Sequence, residues 1–544
     1  MARRGMRGAR IGLALGLAVA GLIVLGGLSV RQSALATTLT VSDVSAIDFE
    51  FVPPAITITT GSSVRWINNG GSHTSTGDTG LWDSGLLAAG GMFTRTFDTP
   101  GSYPYHCTFH QAFGMTGIVV VVPSTLTVCP SCPYTTIDAA LQAAANGDLI
   151  RVASGAYSER LTITKTVTLE GGWNESFTTR APGTSVIDAQ RAGRVMTVLG
   201  PVSPTIDGFT ITGGDATTEI SGTHQGGGIY IDAGGALLVN NIITNNLATI
   251  TTSTALSDRG YGGGVYAAGG SVVISASQIL SNVAGAGGSN TEAYGGGVYA
   301  MGAPTLINNL IASNQARIGG APYGYGGGVY VSNGVVRGNQ FISNSASNGG
   351  GIATLLNTTF EGNLSRGTKG GNFILETGGV SRLANNFLLE TNCPTGMFPG
   401  NSAIQVVNNT IVGCFQGIYV PVGASPPISN NLFYSNTTAI AGEGTPLLDY
   451  NGFWMNGSDF AVPTSTLTGT HNVFSNPLFV DPAAGDYHLQ VGSPMIDRGT
   501  SAGAPSTDYD GQTRPAGEGV DIGADEFVPT YATYLPVVLK AFGP

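Results

Sequence analysis

The N-terminal part of the chain alternates between apolar and polar residues over short segments. Between residues 45 and 122, the segments IDFEF, AITITT, SVRWIN, MFTRTFDT, SYPYHC and GIVVVV are separated by Gly, Pro, Asn and Ser. Alternation with a period of two is typical of strands that bury one face. Strands of this length and spacing predict a small β-sandwich or barrel. The step VPSTLTVCPSCP then closes the unit, and we place this domain at residues 37–123.

A single helical pattern follows this domain in the stretch YTTIDAALQAAANGD. Its apolar residues recur at i, i+3, i+4 and i+7, which is the period of one helix face. These residues are Ile137, Ala140, Leu141 and Ala144. We therefore predict a helix over residues 135–146, with Thr135 or Thr136 as its N-cap and Gly147 at its end.

From about residue 205 the sequence repeats itself. Glycine triplets recur at residues 226–228, 262–264, 295–297, 326–328 and 349–351. Most are followed by a segment with an asparagine two residues before an alanine, at Asn246, Asn282, Asn314 and Asn344. Short repeats cannot bury a face alone, so successive coils must stack about 4.8 Å apart. Glycine permits the sharp corners, and stacked asparagine amides can bond from coil to coil. The pattern predicts a parallel β-helix over residues 124–440, capped by the helix against edge pairing.

The first 36 residues have the pattern of an export signal. Four arginines precede an apolar run from Ile11 to Val30, and the sequence ALA at residues 34–36 offers a cleavage site. We predict a signal peptide at residues 1–36 and no membrane span after cleavage. The apolar run has 20 residues, which is long enough to cross a bilayer. An uncleaved membrane anchor is therefore the alternative.

Without this leader the chain is strongly acidic. The leader contains five of the 22 basic residues and none of the 33 acidic ones, which leaves 17 basic residues and a net charge of −16. Such a chain is poorly suited to nucleic acid or anionic lipid, so we expect neither as a partner. Charged residues make up only 10% of the sequence, and there are 83 glycines. This composition excludes a charged, disordered chain and allows two or more domains.

The five cysteines are Cys107, Cys129, Cys132, Cys393 and Cys414. Export places them in an oxidising compartment, where pairs tend to close. Cys129 and Cys132 form a C-x-x-C; we expect a local disulfide, because no thioredoxin-like pattern surrounds them to support the redox-active alternative. Cys393 and Cys414 lie about one repeat apart, so a disulfide there would staple neighbouring coils. Cys107 then has no cysteine with which to form a disulfide.

Cys107 lies in the stretch PYHCTFHQAFGM together with His110 and Met115, and His73 follows an upstream strand. Two imidazoles, one thiolate and one thioether form the ligand set of a type 1, or blue, copper site. We therefore predict one copper ion per chain, cycling between Cu(I) and Cu(II) and bound by these four residues. The alternative is a buried cysteine with incidental histidines. His106 precedes Cys107 in a strand and should point to the opposite face, at the surface.

The same stretch resembles the ligand loop of plastocyanin-type cupredoxins. CTFHQAFGM has the length of that loop and its Gly before Met, while FEFVPPAITITTGSSVRWINN, WDSGLLAAGGMFTRTF and PGSYPYHC resemble the family's strands in the same order. The resemblance implies a Greek-key sandwich that binds copper and exchanges single electrons with a redox partner protein. One position departs from the pattern. Thr74 follows His73, where plastocyanins often have an asparagine that hydrogen-bonds near the cysteine sulfur.

The helix and the Gly- and Asn-rich coils resemble the right-handed parallel β-helix of pectate-lyase-like exported proteins. The overall fold is thus expected to be all-β, with an N-terminal cupredoxin sandwich and a C-terminal β-helix behind a short capping helix. Residues 441–527 resemble a module that often closes such bacterial proteins, and residues 528–544 form an apolar tail. Acids cluster in this module at Asp508, Asp510, Asp521, Asp525 and Glu526. Calcium is possible there but unsupported, because the spacing is not that of an EF-hand; we expect a solvated acidic edge.

Folds of this β-helix type often cleave polysaccharides, so a lyase or hydrolase is one alternative. The acids of the coils do not recur at one coil position and form no paired motif: Asp232, Asp258, Glu292, Glu361, Glu376 and Glu390. Hydrolysis needs paired carboxylates, so we assign no catalytic residue and expect no enzyme. Tyrosines that follow the glycine triplets could form either an aromatic stripe for sugars or a buried stack: Tyr230, Tyr266, Tyr299 and Tyr330.

The leading hypothesis is an extracytoplasmic protein, either secreted, periplasmic or on the cell surface. It would carry single electrons on copper and be tethered to a β-helix that binds a surface or a polysaccharide. The other alternative is an adhesion or scaffold protein whose copper is structural or sequestered.

Overall fold

The computed structural model describes residues 40–529 apart from ten short gaps, and the described residues belong to one compact unit. The gaps are residues 218–222, 250–258, 286–291, 317–322, 348, 355–356, 371–372, 376–380, 390–392 and 464–468. The predicted leader and the tail from residue 530 onward lie outside the described residues. In the part of the chain that is described, no helix combines the length and apolarity needed to cross a membrane.

Residues 40–122 form a sandwich of two four-stranded sheets. Its strands are β1 (Val41–Ile47), β2 (Glu50–Val52), β3 (Ala55–Thr59), β4 (Ser63–Asn68), β5 (Thr76–Gly77), β6 (Met92–Thr96), β7 (Gly101–His106) and β8 (Thr116–Val122). One sheet has the order β2-β1-β4-β6, and the other has the order β3-β8-β7-β5. β1 pairs in parallel with β4, and β3 pairs in parallel with β8. The chain therefore crosses between the sheets, as expected of a Greek-key sandwich.

The core of this sandwich follows from the alternation in its sequence. In β4, Val64, Trp66 and Asn68 are buried, whereas the residues between them are partly exposed. Trp66 and Tyr105 are fully buried, and their ring centroids lie 5.3 Å apart in an edge-on arrangement. Aromatic pairs of this geometry add to the free energy gained by burial. The predicted all-β sandwich is confirmed.

One α-helix, α1, spans Ile137–Ala143 and begins the second half of the fold. The hydroxyl of Thr136 accepts a hydrogen bond from the N–H of Ala139 at 3.2 Å and so acts as the N-cap. The helix is shorter than predicted because Ala144 already has an extended backbone, with ψ at 150°. The apolar face of α1 packs against the first strands of the coils. The helix therefore covers the N-terminal end of the stack of coils.

After α1 the chain winds through coils whose strands build three long parallel sheets of 13, 12 and 12 strands. The first sheet, which also takes in the strand before α1, contains Thr125–Val128, Leu149–Ala153, Thr168–Trp173, Thr205–Asp207, Ala236–Val239, Val272–Ser275, Thr305–Ile307, Val335–Arg337, Thr359–Glu361, Arg382–Ala384, Gln405–Val407, Pro427–Ser429 and Leu447–Asp449. The second contains Gly155–Tyr157, Ser185–Asp188, Phe209–Thr212, Ile242–Thr244, Gln278–Leu280, Leu310–Ala312, Gln340–Ile342, Leu364–Arg366, Phe387–Leu389, Thr410–Val412, Leu432–Tyr434 and Gly452–Trp454. The third contains Leu161–Ile163, Met196–Val198, Ile229–Ile231, Val265–Ala267, Val298–Ala300, Val329–Val331, Ile352–Thr354, Phe373–Leu375, Thr395–Pro399, Gln416–Val420, Thr438–Gly442 and Ser458–Ala461.

These sheets define a parallel β-helix, whose right-handed sense stays a prediction. The sheets continue to Ser458–Ala461, whereas the sequence pattern places the end of the coils at residue 440. A short fourth sheet and a final hairpin complete the strands: Thr223–Gln225, Arg259–Tyr261, Glu292–Tyr294 and Tyr323–Tyr325, then Phe479–Asp481 and Asp486–Leu489.

Two columns of asparagine side chains run along the coils. The predicted column passes through Asn246, Asn282, Asn314 and Asn344, all of which are buried. At Asn314, Nδ2 donates to Oδ1 of Asn344 at 3.0 Å and to the carbonyl of Ile279 at 2.8 Å, and Oδ1 accepts from the N–H of Asn282 at 3.0 Å. A second, unpredicted column passes through Asn309, Asn339, Asn363, Asn386, Asn409, Asn431 and Asn451.

Replacing Asn314 with leucine is expected to lower the free energy of unfolding by about 2–3 kcal/mol, because buried groups on both neighbouring coils lose their partners. Denaturant unfolding of the full chain measures the change. Gln278→Leu is the matched control, since Gln278 is exposed and lies in the neighbouring coil, and it should shift stability by less than about 0.5 kcal/mol. Equal effects of the two variants would contradict a structural role for the column.

Asp148 joins the sandwich to the coils. Its carboxylate accepts hydrogen bonds from the hydroxyl of Thr60 in the sandwich and from the N–H of Ser124, the latter at 3.0 Å. Pro100 of the sandwich packs on Gly147, where an added Cβ would lie only 2.4 Å from the Cγ of Pro100. Gly147 also has a φ of +86°, so only glycine suits this contact. The two domains are therefore in direct contact.

Both predicted disulfides are present in the structure. Cys129 and Cys132 close a short loop just before α1. Cys393 and Cys414 join neighbouring coils, with their Cα atoms 4.8 Å apart. Cys107 is free and buried.

The prediction of a solvated acidic edge is wrong. Four of the five acids are buried: Asp508, Asp521, Asp525 and Glu526. Backbone N–H groups donate hydrogen bonds to these carboxylates. The carboxylate of Asp521, for example, accepts from the N–H groups of Asp497 and Phe527, each at 2.7 Å. Glu526 pairs with Arg514 at 2.7 Å, and both of these side chains are fully buried. The turns of this segment supply donors that take the place of water.

Candidate metal centre

The loop between β7 and β8 brings three of the predicted ligands to one end of the sandwich. Gln111–Phe113 form a single 3₁₀ turn, and Gly114 follows with a φ of +88°. The N–H of Met115 donates to the carbonyl of His110 at 3.2 Å, and the N–H of Cys107 donates to the carbonyl of Met115 at 3.1 Å. These bonds close the loop on itself and fix the three ligands relative to one another.

His73 arrives from the other sheet, a few residues after β4. Asn68, at the end of β4, is buried; its Nδ2 donates to the carbonyl of Leu87 at 2.6 Å, and its Oδ1 accepts from the N–H of Gly70 at 2.9 Å. The backbone of His73 then forms an antiparallel bridge with Leu87. This bracing holds an imidazole that is only 1% exposed.

The ligand atoms converge as a type 1 metal site requires. Sγ of Cys107 lies 3.8 Å from Nδ1 of His73 and 3.5 Å from Nδ1 of His110. The three ligand atoms all lie within 4.8 Å of one another. A trigonal metal with bonds of about 2.0 Å to nitrogen and about 2.3 Å to sulfur needs sulfur–nitrogen separations of about 3.7 Å. Met115 is fully buried in the same core cluster as Cys107. The residues present therefore fit a copper ion.

The electrostatics of His73 suit metal binding. Burial, followed by repulsion from His110, lowers the pKa of His73. A lowered pKa keeps the imidazole neutral, which is the form whose nitrogen can bind a metal.

Thr74 occupies the position at which the sequence departs from the plastocyanin pattern. Its N–H donates to Sγ of Cys107 at 3.4 Å. Its hydroxyl accepts a hydrogen bond from the N–H of Thr108 at 2.8 Å, which ties the His73 segment to the Cys107 loop. The sulfur thus keeps a hydrogen-bond donor although threonine replaces asparagine at this position. Hydrogen bonds to a ligand atom adjust the reduction potential of a bound metal.

The surface around His110 is apolar. Phe49, Phe109 and Phe113 are 56%, 53% and 73% exposed, and the ring of Phe49 meets the ring of His110 edge-on at 5.0 Å. Phe109 and Phe113 lie in the ligand loop itself, beside His110, whereas Phe49 comes from a distant part of the sequence. Phe49 continues the alternating segment IDFEF, but a turn at Asp48, where φ is +41°, separates it from that strand.

The metal centre and the junction with the coils lie at opposite ends of the sandwich. β7 begins at Gly101, next to Pro100 at the junction, and ends at His106, next to Cys107. A strand of six residues spans about 20 Å. The ligand end of the sandwich therefore faces away from the coils.

A β-sandwich that gathers one cysteine, two histidines and one methionine at one end defines a cupredoxin-type single-copper domain. Residues 38–122 match the family model described as copper binding proteins, plastocyanin/azurin family. The chain is 37% identical over 125 residues to the chloroplastic plastocyanin of Tetradesmus obliquus, covering 21% of this chain and 81% of that protein. It is 36% identical over 92 residues to the plastocyanin of Scenedesmus fuscus, covering 15% of this chain and 92% of that protein. Through this domain, the chain belongs to the plastocyanin/azurin family.

Among solved structures, a variant of amicyanin in its Cu(I) form is 27% identical and covers 15% of this chain and 80% of its own, with a TM-score of 0.14. Because that score is low, the match adds no argument to the sequence matches.

His106 points away from Cys107, as predicted. Its Nδ1 lies 2.6 Å from Oδ1 of Asp78, so a hydrogen bond engages it on the other face of the strand.

The tyrosines of the coils stack on one another. Tyr230, Tyr266, Tyr299 and Tyr330 are nearly parallel, with successive ring centroids 5.3, 5.3 and 5.5 Å apart. A second stack contains Tyr261, Tyr294 and Tyr325. Stacked rings present their edges rather than their faces to solvent, whereas sugars stack on open faces. The structure therefore favours the buried stack over the aromatic stripe.

The acids of the coils are partly engaged in pairs. Glu292 pairs with Arg259 at 2.8 Å, and Glu361 pairs with Arg337 at 2.8 Å. Asp232 accepts a long hydrogen bond of 3.4 Å from a tyrosine hydroxyl. The other three acids considered as candidates, Asp258, Glu376 and Glu390, lie outside the described residues.

Proposed function

We propose that this protein is an exported blue-copper protein that carries single electrons, with its copper domain held on a β-helix scaffold. The observation that carries the proposal is the convergence of His73, Cys107 and His110 within 4.8 Å, in a domain of the plastocyanin/azurin family. A thiolate, two imidazoles and a buried thioether together select copper over the hard cations.

When bound, copper supplies a one-electron couple between Cu(I) and Cu(II). The chain contributes a ligand set that both sheets hold in place, so the same atoms can serve both oxidation states. Cys107 and Met115 are fully buried, which excludes water from the sulfur ligands. The N–H of Thr74 stabilises the negative charge on the thiolate.

The partner that fits the ligand end is a redox protein. His110 is the most exposed of the four ligands, and the three phenylalanines around it form a small apolar face. Small contacts of this kind suit brief encounters between electron-transfer proteins. Because this face points away from the coils, a partner can approach it while the coils are attached elsewhere.

An extracytoplasmic location is supported by the two disulfides, which persist in oxidising compartments, and by the export pattern of the leader. The β-helix, of the pectate-lyase-like type, would act as a scaffold that binds a surface or polysaccharide. Support for a scaffold comes from its columns of buried asparagines and stacked tyrosines, which stabilise the coils.

Copper loading of the purified full chain tests the proposal. We expect one copper per chain, intense visible absorption from a copper–thiolate bond in the cupric form, and a reversible one-electron wave at an electrode. A colourless, redox-silent protein after loading would contradict it. Copper that binds but exchanges no electrons would instead support the sequestration alternative.

A further inference from the structure

Three threonine hydroxyls meet beside the metal centre. Oγ1 of Thr74 lies 3.1 Å from Oγ1 of Thr108 and 3.1 Å from Oγ1 of Thr76, and the Oγ1 atoms of Thr76 and Thr108 are also 3.1 Å apart. Thr74 directly follows the ligand His73, and Thr108 directly follows the ligand Cys107. Thr76 adjoins no ligand in the sequence, yet its hydroxyl contacts both of the other two. The three hydroxyls therefore link the two ligand-bearing segments.

A carboxylate sets the direction of these hydrogen bonds. The hydroxyl of Thr76 also lies 3.2 Å from Oδ1 of Asp83. An ionised carboxylate only accepts, and it is a stronger acceptor than a hydroxyl, so Thr76 donates its one hydrogen to Asp83. Thr108 then donates to Thr76, and Thr74 donates to Thr108. The N–H of Thr108 completes the series by donating to Oγ1 of Thr74 at 2.8 Å. We call this series, from the N–H of Thr108 to the carboxylate of Asp83, the threonine relay.

The outer end of the threonine relay is anchored to the sheet that carries the ligand loop. Oδ1 of Asp83 also accepts from the N–H of Gly85 at 2.9 Å, and the backbone of Asp83 forms an antiparallel bridge with Thr76. Thr76 lies in β5, where it pairs with His106 of β7. Because β5 and β7 are neighbouring strands, the position of the Thr76 hydroxyl is fixed relative to the loop that follows β7.

The inner end of the threonine relay holds the residue that donates to the cysteine sulfur. Thr74 is buried, and its hydroxyl is engaged by both Thr108 and Thr76. Its N–H donates to Sγ of Cys107 at 3.4 Å. A hydroxyl held from two sides restricts the rotation of the side chain and of the backbone that carries it. The relay therefore keeps this N–H directed at the sulfur.

We propose that Thr76 is a positioning residue for the cysteine ligand. Through the threonine relay, which ends at Asp83, Thr76 keeps the N–H of Thr74 on the sulfur of Cys107 and so raises the reduction potential of the site. This inference rests on the proposed blue-copper function. A hydrogen bond to a thiolate withdraws negative charge from the sulfur, and hydrogen bonding around this sulfur is one of the determinants of the potential of a blue-copper site. Less charge on the sulfur disfavours Cu(II) more than Cu(I).

Thr76→Val in the full chain tests the proposal, because valine keeps the shape of the side chain and removes the hydroxyl. The copper-loaded variant should stay blue, since all four ligands remain, but its reduction potential should fall. At the midpoint potential of the wild type, where half of the wild-type protein is reduced, less than half of the variant should be reduced. Spectroelectrochemical titration measures both fractions. In the copper-free chain, the N–H of Thr74 should exchange faster with deuterated solvent.

Two further variants separate the role of the hydroxyl from a general effect of mutation. Thr76→Ser should restore the wild-type potential and exchange rate, because serine supplies the same hydroxyl. Thr57→Val is the matched control: Thr57 is exposed on β3, and this variant should leave both readouts unchanged. A purely structural role for Thr76 predicts a lower thermal midpoint without a shift in potential.

An unchanged or raised potential in Thr76→Val, or an equal fall in Thr76→Ser or Thr57→Val, would overturn the proposal. The wild type is measured first, which separates this inference from the proposed function. A wild type that stays colourless after copper loading overturns both. A blue wild type whose potential matches that of Thr76→Val overturns only the role of the threonine relay.

Discussion

Replacing Cys107 with serine should abolish the visible absorption of the copper-loaded protein. The band arises from a copper–thiolate bond, and a serine hydroxyl cannot replace the soft sulfur donor. Nδ1 of each imidazole lies close to this one sulfur, at 3.8 and 3.5 Å. Loss of the sulfur therefore leaves the two imidazoles without the third strong copper ligand. We expect the wild-type redox wave to disappear together with the colour. Visible spectra and voltammetry of the copper-loaded variant measure both losses.

Met115→Leu is the matched control for Cys107→Ser. Met115 lies in the same loop and is equally buried, but its thioether would be the weakest of the four donors to copper. This variant should keep copper and colour, because three strong ligands remain, while its reduction potential rises. Colour that survives in Cys107→Ser, or is lost in Met115→Leu, would show that the ligand roles are assigned wrongly.

Arg514→Met should lower the free energy of unfolding by about 3–5 kcal/mol, because it leaves a buried carboxylate without its counter-charge. The side chains of Arg514 and Glu526 are both fully buried and 2.7 Å apart. Arg514 also donates to the carbonyl of Gly523 at 3.0 Å, so a second buried acceptor loses its partner. The shift of the denaturant midpoint, multiplied by the slope of the transition, measures the change.

Arg337→Met is the control for this charge pair. Arg337 pairs with Glu361 at 2.8 Å, but its side chain is 55% exposed. Solvent screens such a pair, so its loss should change stability by less than about 1 kcal/mol. If the two variants lose equal stability, the buried pair does not hold the C-terminal module together.

Local sequence patterns predict most of the secondary structure of this protein, because each pattern depends only on residues that are close in the sequence. The alternation in β4, the period of α1 and the recurring asparagines each specify which face is buried, and the structure follows them. The second asparagine column also had a signal in the sequence. Pairs such as Asn408–Asn409 and Asn430–Asn431 occur where the first residue takes a positive φ, 52° and 57° respectively, and the second joins the column.

The copper ligands could be named from the sequence because three of them share one loop. Their convergence with His73 depends on both sheets, and it is the fold that shows Asn68 and Thr74 bracing the site. The acids near the C-terminus illustrate the limit of sequence reasoning. Composition suggests that Asp521 and Glu526 are solvated, but burial depends on which backbone donors and which arginine the distant chain brings to them. Such partners leave no local pattern.

Because of the direct junction at Asp148, the number of coils determines the position of the copper domain as well as contributing to stability. Because no flexible linker intervenes there, the copper domain is carried at a set height above the far end of the β-helix. The first sheet has 13 strands, and twelve steps of about 4.8 Å amount to roughly 58 Å. Adding or deleting one coil would raise or lower the redox centre by one step while leaving both ends unchanged. Each coil thus changes the distance between the copper domain and the far end of the β-helix by one fixed step.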